Sequence, residues 1–160
     1  MLAAFSCYKK PPVNLIGRWE SNIRYEQELA EHENDDIPLG CALIEQANEF
    51  IFFSNGTFSR NIKTSFIKAK IFSEKIKEED VIDLYKDFNT EFMLSGQYEL
   101  QGKKLTLLTS SIQNSKGESF PYEDFYKEIK AYGLPHSEVI ISVIDKNRIN
   151  IQGIEFNRVF

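Results

Sequence analysis

The first extended segment of the chain reads GRWESNIRY over residues 17–25. One face of this segment carries residues spaced by two positions, namely Trp19, Ser21, Ile23 and Tyr25. Polar residues occupy most of the other face, which is the pattern of a strand with one buried side. We therefore predict a first strand from about Leu15 to Glu28.

The chain ends on a matching extended run that closes with Phe156-Asn157-Arg158. Roughly eight strand-like runs with the same period lie along the chain, and turn residues separate them. The clearest turn is Asn55-Gly56, a pair that suits the positive φ angles of a type I′ hairpin. This pattern predicts a mostly β protein, in which the two ends of the chain are the first and last strands of one closed antiparallel sheet.

Two segments change to the helical period. Between Lys77 and Phe88, apolar residues fall at i, i+3, i+4 and i+7, which predicts a helix whose apolar stripe faces the sheet; these are Val81, Leu84, Tyr85 and Phe88. A second amphipathic helix is predicted from Tyr122 to Tyr132, before the stop signal of Gly133 and Pro135.

The last strand shows a slip in its alternation. Ile149 and Ile151 are in one phase, whereas Ile154 and Phe156 are in the other. We therefore predict a β-bulge at Gly153, which shifts the following side chains by one position. The shift would turn Arg158 toward the interior.

The composition indicates one globular, β-rich domain. Of the 160 residues, 42% are hydrophobic and 13% are aromatic, with thirteen Phe against a single Trp. A chain of this length buries about two thirds of the surface that its unfolded form exposes, which is enough for one core. The formal charge is −5, and basic residues are interspersed with acidic ones. Because no basic stripe is present to neutralise phosphates, we predict no nucleic-acid partner.

Residues at both ends of the chain resemble the lipocalin-like superfamily. Gly17-Arg18-Trp19 matches its GxW motif, and Arg158 stands where an arginine of the final strand packs across the Trp ring. The segment from Gly96-Gln97-Tyr98 to Leu107 resembles a hairpin of small bacterial lipocalin-like domains. The resemblance covers residues 15–160 and, with the two short amphipathic helices, implies an antiparallel up-and-down β-barrel of about eight strands. It also implies that Gly17, Trp19 and Arg158 form a structural latch through cation–π stacking.

The first residues resemble the end of a bacterial lipoprotein signal peptide. Residues 1–14 are predicted as a signal-peptide remnant and tether, and residues 15–160 as the lipocalin-like domain. Ser6-Cys7 is the best-matching part, which makes Cys7 the candidate lipidation site and membrane tether. This places the protein in the bacterial cell envelope; the alternative is a cytoplasmic protein with an incidental cysteine at position 7. The other cysteine, Cys41, is predicted to be a small buried hydrophobe.

The resemblance implies non-catalytic binding or transport of a small apolar or amphipathic molecule in the barrel. The alternation predicts that the ligand is lined by Phe50, Phe52, Phe92, Leu94 and Tyr98. The alternative is that the opposite face of these strands lines the ligand, since a one-residue change of register exchanges the two faces. No nucleophile elbow, zinc helix, phosphate loop or CxxC pair occurs in the sequence. We therefore predict no enzyme activity, no catalytic residue, no metal and no cofactor.

An interaction module is the alternative function. The segment from Glu26 to Asp36 is strongly acidic and is predicted to be a loop. Such a loop would suit a basic protein partner, as in an inhibitor or immunity-type protein with a filled barrel.

Overall fold

The structure is a computed structural model, and it describes residues 14–30, 38–120 and 138–160. Eight strands and one helix follow each other along these residues: β1 (Gly17–Leu29), β2 (Gly40–Phe52), β3 (Thr57–Ile71), α1 (Glu78–Tyr85), β4 (Thr90–Gln101), β5 (Lys104–Asn114), β6 (Glu138–Asp145), β7 (Arg148–Ile151) and β8 (Ile154–Val159). The second predicted helix, over residues 122–132, lies outside the described residues.

The strands form one closed ring. Each strand pairs antiparallel with the next along the chain, and β8 returns to pair with β1, where Trp19 lies opposite Arg158. Closure removes the two free edges that an open sheet of this size would present. The prediction of a mostly β protein with eight antiparallel strands in one closed sheet is confirmed.

The interior of the ring is layered from one end to the other. At the end where β1 begins lies the base cluster, which consists of Leu15, Trp19, Phe50, Phe52, Phe58, Leu105, Leu107, Val139, Ile141, Ile149, Ile151 and Phe156. A smaller side cluster on β3, β4 and β5 contains Ile62, Leu94 and Ile112. The helix-end cluster contains Ala42, Ile44, Val81 and Tyr85. The core therefore has a broad aromatic base and a separate apolar layer under α1.

Helix α1 covers the end of the ring opposite the base cluster. Acidic residues fill its first turn, and the Asp80 carboxylate accepts a hydrogen bond from the Lys77 backbone N–H at 3.0 Å. Val81 and Tyr85 are buried one turn apart, and the Tyr85 ring stacks on Phe66 of β3 at 5.3 Å. Leu84, which the sequence pattern placed in the same stripe, is 69% exposed. The buried face of α1 is therefore narrower than predicted.

Two turns differ in detail from the prediction. The β2–β3 hairpin forms at Asn55-Gly56, but only Gly56 has positive φ, and the Gly56 N–H donates to the Phe53 carbonyl oxygen at 3.2 Å. The turn is therefore not type I′, which needs positive φ at both central residues. Gln152 and Gly153 have φ angles of 53° and 87° and form the two-residue turn between β7 and β8. The predicted bulge at Gly153 is a hairpin, and the predicted last strand is two strands.

Gly96 on β4 allows a close approach to β5, where the register shifts between Ser95 and Gly96. A β-carbon added at Gly96 would lie 2.0 Å from the Leu108 carbonyl oxygen and 2.8 Å from the Leu108 carbonyl carbon. We expect Gly96→Ala to lower the free energy of unfolding by about 1–3 kcal/mol, because the two backbones must move apart. Urea denaturation measures the change.

The matched control for this substitution is Gln97→Ala, at the next position on the same strand. Gln97 is exposed, so its replacement should change the free energy of unfolding by no more than about 0.5 kcal/mol. Equal stability of the two variants would contradict the steric argument.

Candidate functional site

Trp19 and Arg158 meet at the base of the ring. The Arg158 guanidinium carbon lies 4.4 Å from the centroid of the Trp19 ring, and Trp19 is 1% exposed. The indole N–H donates to the Leu15 carbonyl oxygen at 2.7 Å, and Arg158 Nη2 donates to the Asn14 carbonyl oxygen at 2.5 Å. Gly17 opens β1 with a φ of 126°. The contacts fix the chain entering β1 against the last strand, and they leave no room for a ligand between the Trp19 ring and the Arg158 guanidinium.

Three of the five predicted lining residues belong to the packed base. The rings of Phe50 and Phe52 stack at 5.3 Å, and Tyr98 meets Phe52 edge-on at 5.0 Å. Phe50 and Phe52 have exposures of 0% and 1%, and the Tyr98 hydroxyl donates to the Phe53 carbonyl oxygen at 2.9 Å. These side chains lie inside the ring, as the alternation predicted, but they fill it rather than line a space.

The other two predicted lining residues lie in the side cluster. Leu94 is 5% exposed and packs with Ile62 and Ile112. Phe92 is half-buried and meets Phe120 edge-on at 6.2 Å. In the register of β3 and β4, Phe92 lies opposite Ile62, and Leu94 lies opposite Arg60. Leu94 therefore lies level with Arg60, and Phe92 lies one step further from the base cluster.

A layer of buried polar side chains crosses the interior between the base cluster and the helix-end cluster. We call it the polar belt, and its members are Ser21, Gln46, Asn48, Arg60 and Thr64, with exposures of 2–6%. They come from three neighbouring strands, since Ser21 is paired with Asn48, and Gln46 with Thr64. Buried polar side chains are usually hydrogen-bonded, so each unpartnered atom in this layer calls for an explanation.

Arg60 is the charged residue of the polar belt. Its Nη2 atom donates to Asn48 Oδ1 at 2.7 Å, and its guanidinium carbon lies 4.8 Å from the centroid of the Phe50 ring. The Nε atom of Arg60 and the Nδ2 atom of Asn48 are both buried without a hydrogen-bond partner among the described residues. Both atoms are hydrogen-bond donors. A group that satisfied them would therefore have to supply hydrogen-bond acceptors.

The pKa of Arg60 is shifted by burial. Burial lowers the pKa of Arg60 to about 9, so the side chain is still a cation at neutral pH. Among the residues that the structure describes, Arg60 is the buried residue that carries a charge, and no carboxylate forms an ion pair with it. Within the described part of the chain, this positive charge contacts the Asn48 carbonyl oxygen and the Phe50 ring.

Arg60 and Asn48 are not among the residues predicted from the sequence, although the sequence contains a signal for them. Phe58, Arg60 and Ile62 alternate in phase on β3, as do Asn48 and Phe50 on β2. The phase that places the phenylalanines inside the ring also places these two polar residues there.

Two grooves of the described surface lie outside the ring. The first, of about 510 Å³, runs over β1, β2, β3 and β8 between outward-facing residues such as Glu20, Asn22, Glu49, Asn61 and Lys63. The Glu20 and Glu49 carboxylates in this groove both form ion pairs with Arg18, at 2.6 Å and 2.5 Å. The second, of about 430 Å³, lies over β3, β4 and β5. Neither groove is lined by any of the five predicted residues.

The acidic segment is partly strand rather than loop. β1 continues to Leu29, so Glu26 and Glu28 lie in a strand, and Glu26 forms an ion pair with Lys70 of β3. The remaining acidic residues, at positions 31–36, lie outside the described residues, as does Cys7. The alternative function as an interaction module thus remains a prediction from the sequence.

Cys41 on β2 is 2% exposed, which agrees with its interpretation as a small buried residue. Burial raises the pKa of the Cys41 thiol, and the negative charge of Glu26 adds to this effect. Because only the thiolate is nucleophilic, we expect Cys41 to react with iodoacetamide at pH 8 roughly tenfold or more slowly in the native protein than in urea. A Cys7→Ser variant isolates this thiol, and equal rates in the two states would contradict the placement.

Comparison with models of known protein families and with curated proteins finds no match to this chain. The resemblance to the lipocalin-like superfamily therefore stays a prediction from the motifs. Among the described residues, we find no helix with the length and hydrophobicity of a membrane span. The same residues contain no group of three or more His, Cys, Asp or Glu side chains placed to hold a metal ion.

Proposed function

We propose that the protein binds a small apolar or amphipathic molecule inside its ring, as a non-catalytic carrier built on an up-and-down barrel of the lipocalin-like kind. The observation that carries the proposal is the polar belt, in which Asn48 and Arg60 keep buried donors without partners among the described residues. Each unsatisfied buried donor costs about 1–3 kcal/mol. A ring that only had to be filled would be more stable with apolar side chains at these positions.

The two ends of the interior indicate where a ligand enters. Entry through the base would separate Trp19 from Arg158 and break up the stacked rings of Phe50 and Phe52. At the other end, the described element that a ligand would displace is α1, which is eight residues long and contributes Val81 and Tyr85 to the interior. We therefore place the entrance under α1 and the binding space between α1 and the polar belt.

Titration with a neutral naphthylamine probe tests this function. We expect saturable binding with increased probe fluorescence, and displacement of the probe by long-chain amphipathic molecules. Native mass spectrometry of the protein as purified should show a bound molecule of a few hundred daltons. Absence of both probe binding and a co-purified molecule would contradict the proposal.

A surface variant separates interior binding from adhesion to the outer face. Leu108 is 54% exposed on β5, so Leu108→Ala removes apolar surface from the outside of the ring. We expect its probe affinity to equal that of the unaltered protein. Loss of probe binding in Leu108→Ala would assign the probe to the outer surface and reject the interior site.

Lipidation of Cys7 in a bacterial cell envelope is the second part of the proposal, and Ser6-Cys7 supports it. Expression of the full chain in a bacterium should give a protein that partitions into the detergent phase, whereas Cys7→Ser should partition into the aqueous phase. Equal partitioning of the two would reject the tether and leave the interior binding site untouched.

A further inference from the structure

We propose that the interior site selects a monoanion with an apolar tail, a long-chain carboxylate, and that Arg60 pairs with its carboxylate group. This inference rests on the proposed binding function and names the chemical class of its ligand. It follows from the charge and the apolar surroundings of Arg60 and from the free donors of Arg60 and Asn48.

The buried charge of Arg60 favours an anionic ligand. Arg60 is 4% exposed and lies on the inner face of β3, between Phe58 and Ile62. None of the ion pairs of the described residues includes Arg60. A buried cation without a counter-ion is strongly unfavourable, and an oppositely charged partner restores the balance.

The free donors match the acceptors of a carboxylate. Arg60 Nε and Asn48 Nδ2 both lack a partner among the residues that the structure describes, and the two side chains are neighbours because Arg60 Nη2 donates to Asn48 Oδ1 at 2.7 Å. A carboxylate has two oxygens, which suit the planar fork of a guanidinium. One carboxylate can therefore accept from Arg60 Nε with one oxygen and from Asn48 Nδ2 with the other.

A monoanion fits this site better than a phosphate. A phosphate monoester carries nearly two negative charges at neutral pH and three acceptor oxygens. The described residues of the polar belt offer one cation, Arg60, together with Ser21, Gln46, Asn48 and Thr64, which carry no charge. A second negative charge would thus be buried without a partner.

The packing around Arg60 sets the direction of the tail. On the β2 side, the centroid of the Phe50 ring lies 4.8 Å from the guanidinium carbon, and Phe50 belongs to the packed base cluster. On the other side, the apolar residues next to Arg60 are Ile62 on its own strand and Leu94 on β4. The tail therefore runs from Arg60 along the side cluster toward the helix-end cluster, which brings Phe92 and Leu94 into contact with it.

Calorimetric titration with dodecanoate and with dodecanol tests the inference, because the two probes share a tail and differ in charge. We expect the unaltered protein to bind dodecanoate about 30-fold or more tightly than dodecanol, as for a desolvated charge pair. In Arg60→Met this preference should disappear, because the cation that pairs with the carboxylate is lost. In Arg60→Lys, which keeps the charge but not the fork, part of the preference should remain.

Lys63→Met is the matched control, since it removes the same charge from the same strand at an exposed position. It should keep the preference for dodecanoate, which separates pairing with Arg60 from long-range attraction. Equal affinity of the unaltered protein for both probes would overturn the carboxylate proposal and leave the binding function in place. Failure of both probes to bind would overturn both.

Discussion

Replacing Trp19 with alanine is expected to lower the free energy of unfolding by about 3–5 kcal/mol, the cost typical of a buried aromatic reduced to a methyl group. Trp19 is 1% exposed and belongs to the base cluster, where the ring closes between β1 and β8. The substitution removes the surface on which Arg158 stacks and the N–H that donates to the Leu15 carbonyl oxygen. Denaturation in guanidinium chloride, followed by far-UV circular dichroism, measures the loss.

The control for Trp19→Ala is Phe160→Ala, a loss of an aromatic side chain that is 95% exposed. It should change the free energy of unfolding by no more than about 0.5 kcal/mol. A double-mutant cycle of Trp19→Ala with Arg158→Met should give a coupling energy of about 0.5–2 kcal/mol, as expected for a cation–π pair. A loss below about 1 kcal/mol for Trp19→Ala would show that the ring stays closed without this contact.

The order of the strands could be predicted because period-2 patterns and tight turns are local signals. The alternation around Trp19 places β1 correctly, and Asn55-Gly56 marks the first hairpin. The turn at Gly153 was predicted as a bulge because a two-residue turn and a bulge both shift the alternation by one position. In addition, Gln152 has positive φ, which is unusual for a residue other than glycine. Leu84 was misplaced because the helical period gives a face but not its width.

The candidate site could be predicted only in part, because sequence patterns distinguish inside from outside but do not show where packing ends. Phe50 and Phe92 share the inner face, yet Phe50 lies in the packed base and Phe92 lies in the side cluster. Arg60 was passed over because a charged residue is ordinarily assigned to the surface. The surroundings of Arg60 depend on its pairing with Phe50 on β2 and with Leu94 on β4. The sequence pattern of one strand does not show this pairing.

The same register predicts that the polar belt lowers the stability of the unliganded protein. We expect the double variant Arg60→Met/Asn48→Leu to raise the free energy of unfolding by about 1–4 kcal/mol, the range found when buried ionic groups are replaced by apolar side chains of similar volume. Both positions are changed because Arg60→Met alone would leave Asn48 Oδ1 without its donor, at a cost of about 1–3 kcal/mol. Urea denaturation of the protein without bound ligand measures the gain in the free energy of unfolding.

The direction of this change distinguishes a binding residue from a structural one. If Arg60 serves a ligand, its charge is a cost in the empty ring, so the double variant should be more stable and should no longer prefer dodecanoate to dodecanol. If the contacts of Arg60 with Asn48 and Phe50 mainly stabilise the core, the double variant should instead be less stable by 1 kcal/mol or more, on the order of a lost cation–π contact and hydrogen bond. Lys63→Met should leave stability nearly unchanged, since an exposed lysine contributes little. Trp19 and Arg60 would then have different roles, because substitution of Trp19 lowers stability, whereas joint replacement of Arg60 and Asn48 raises stability and removes the preference for dodecanoate.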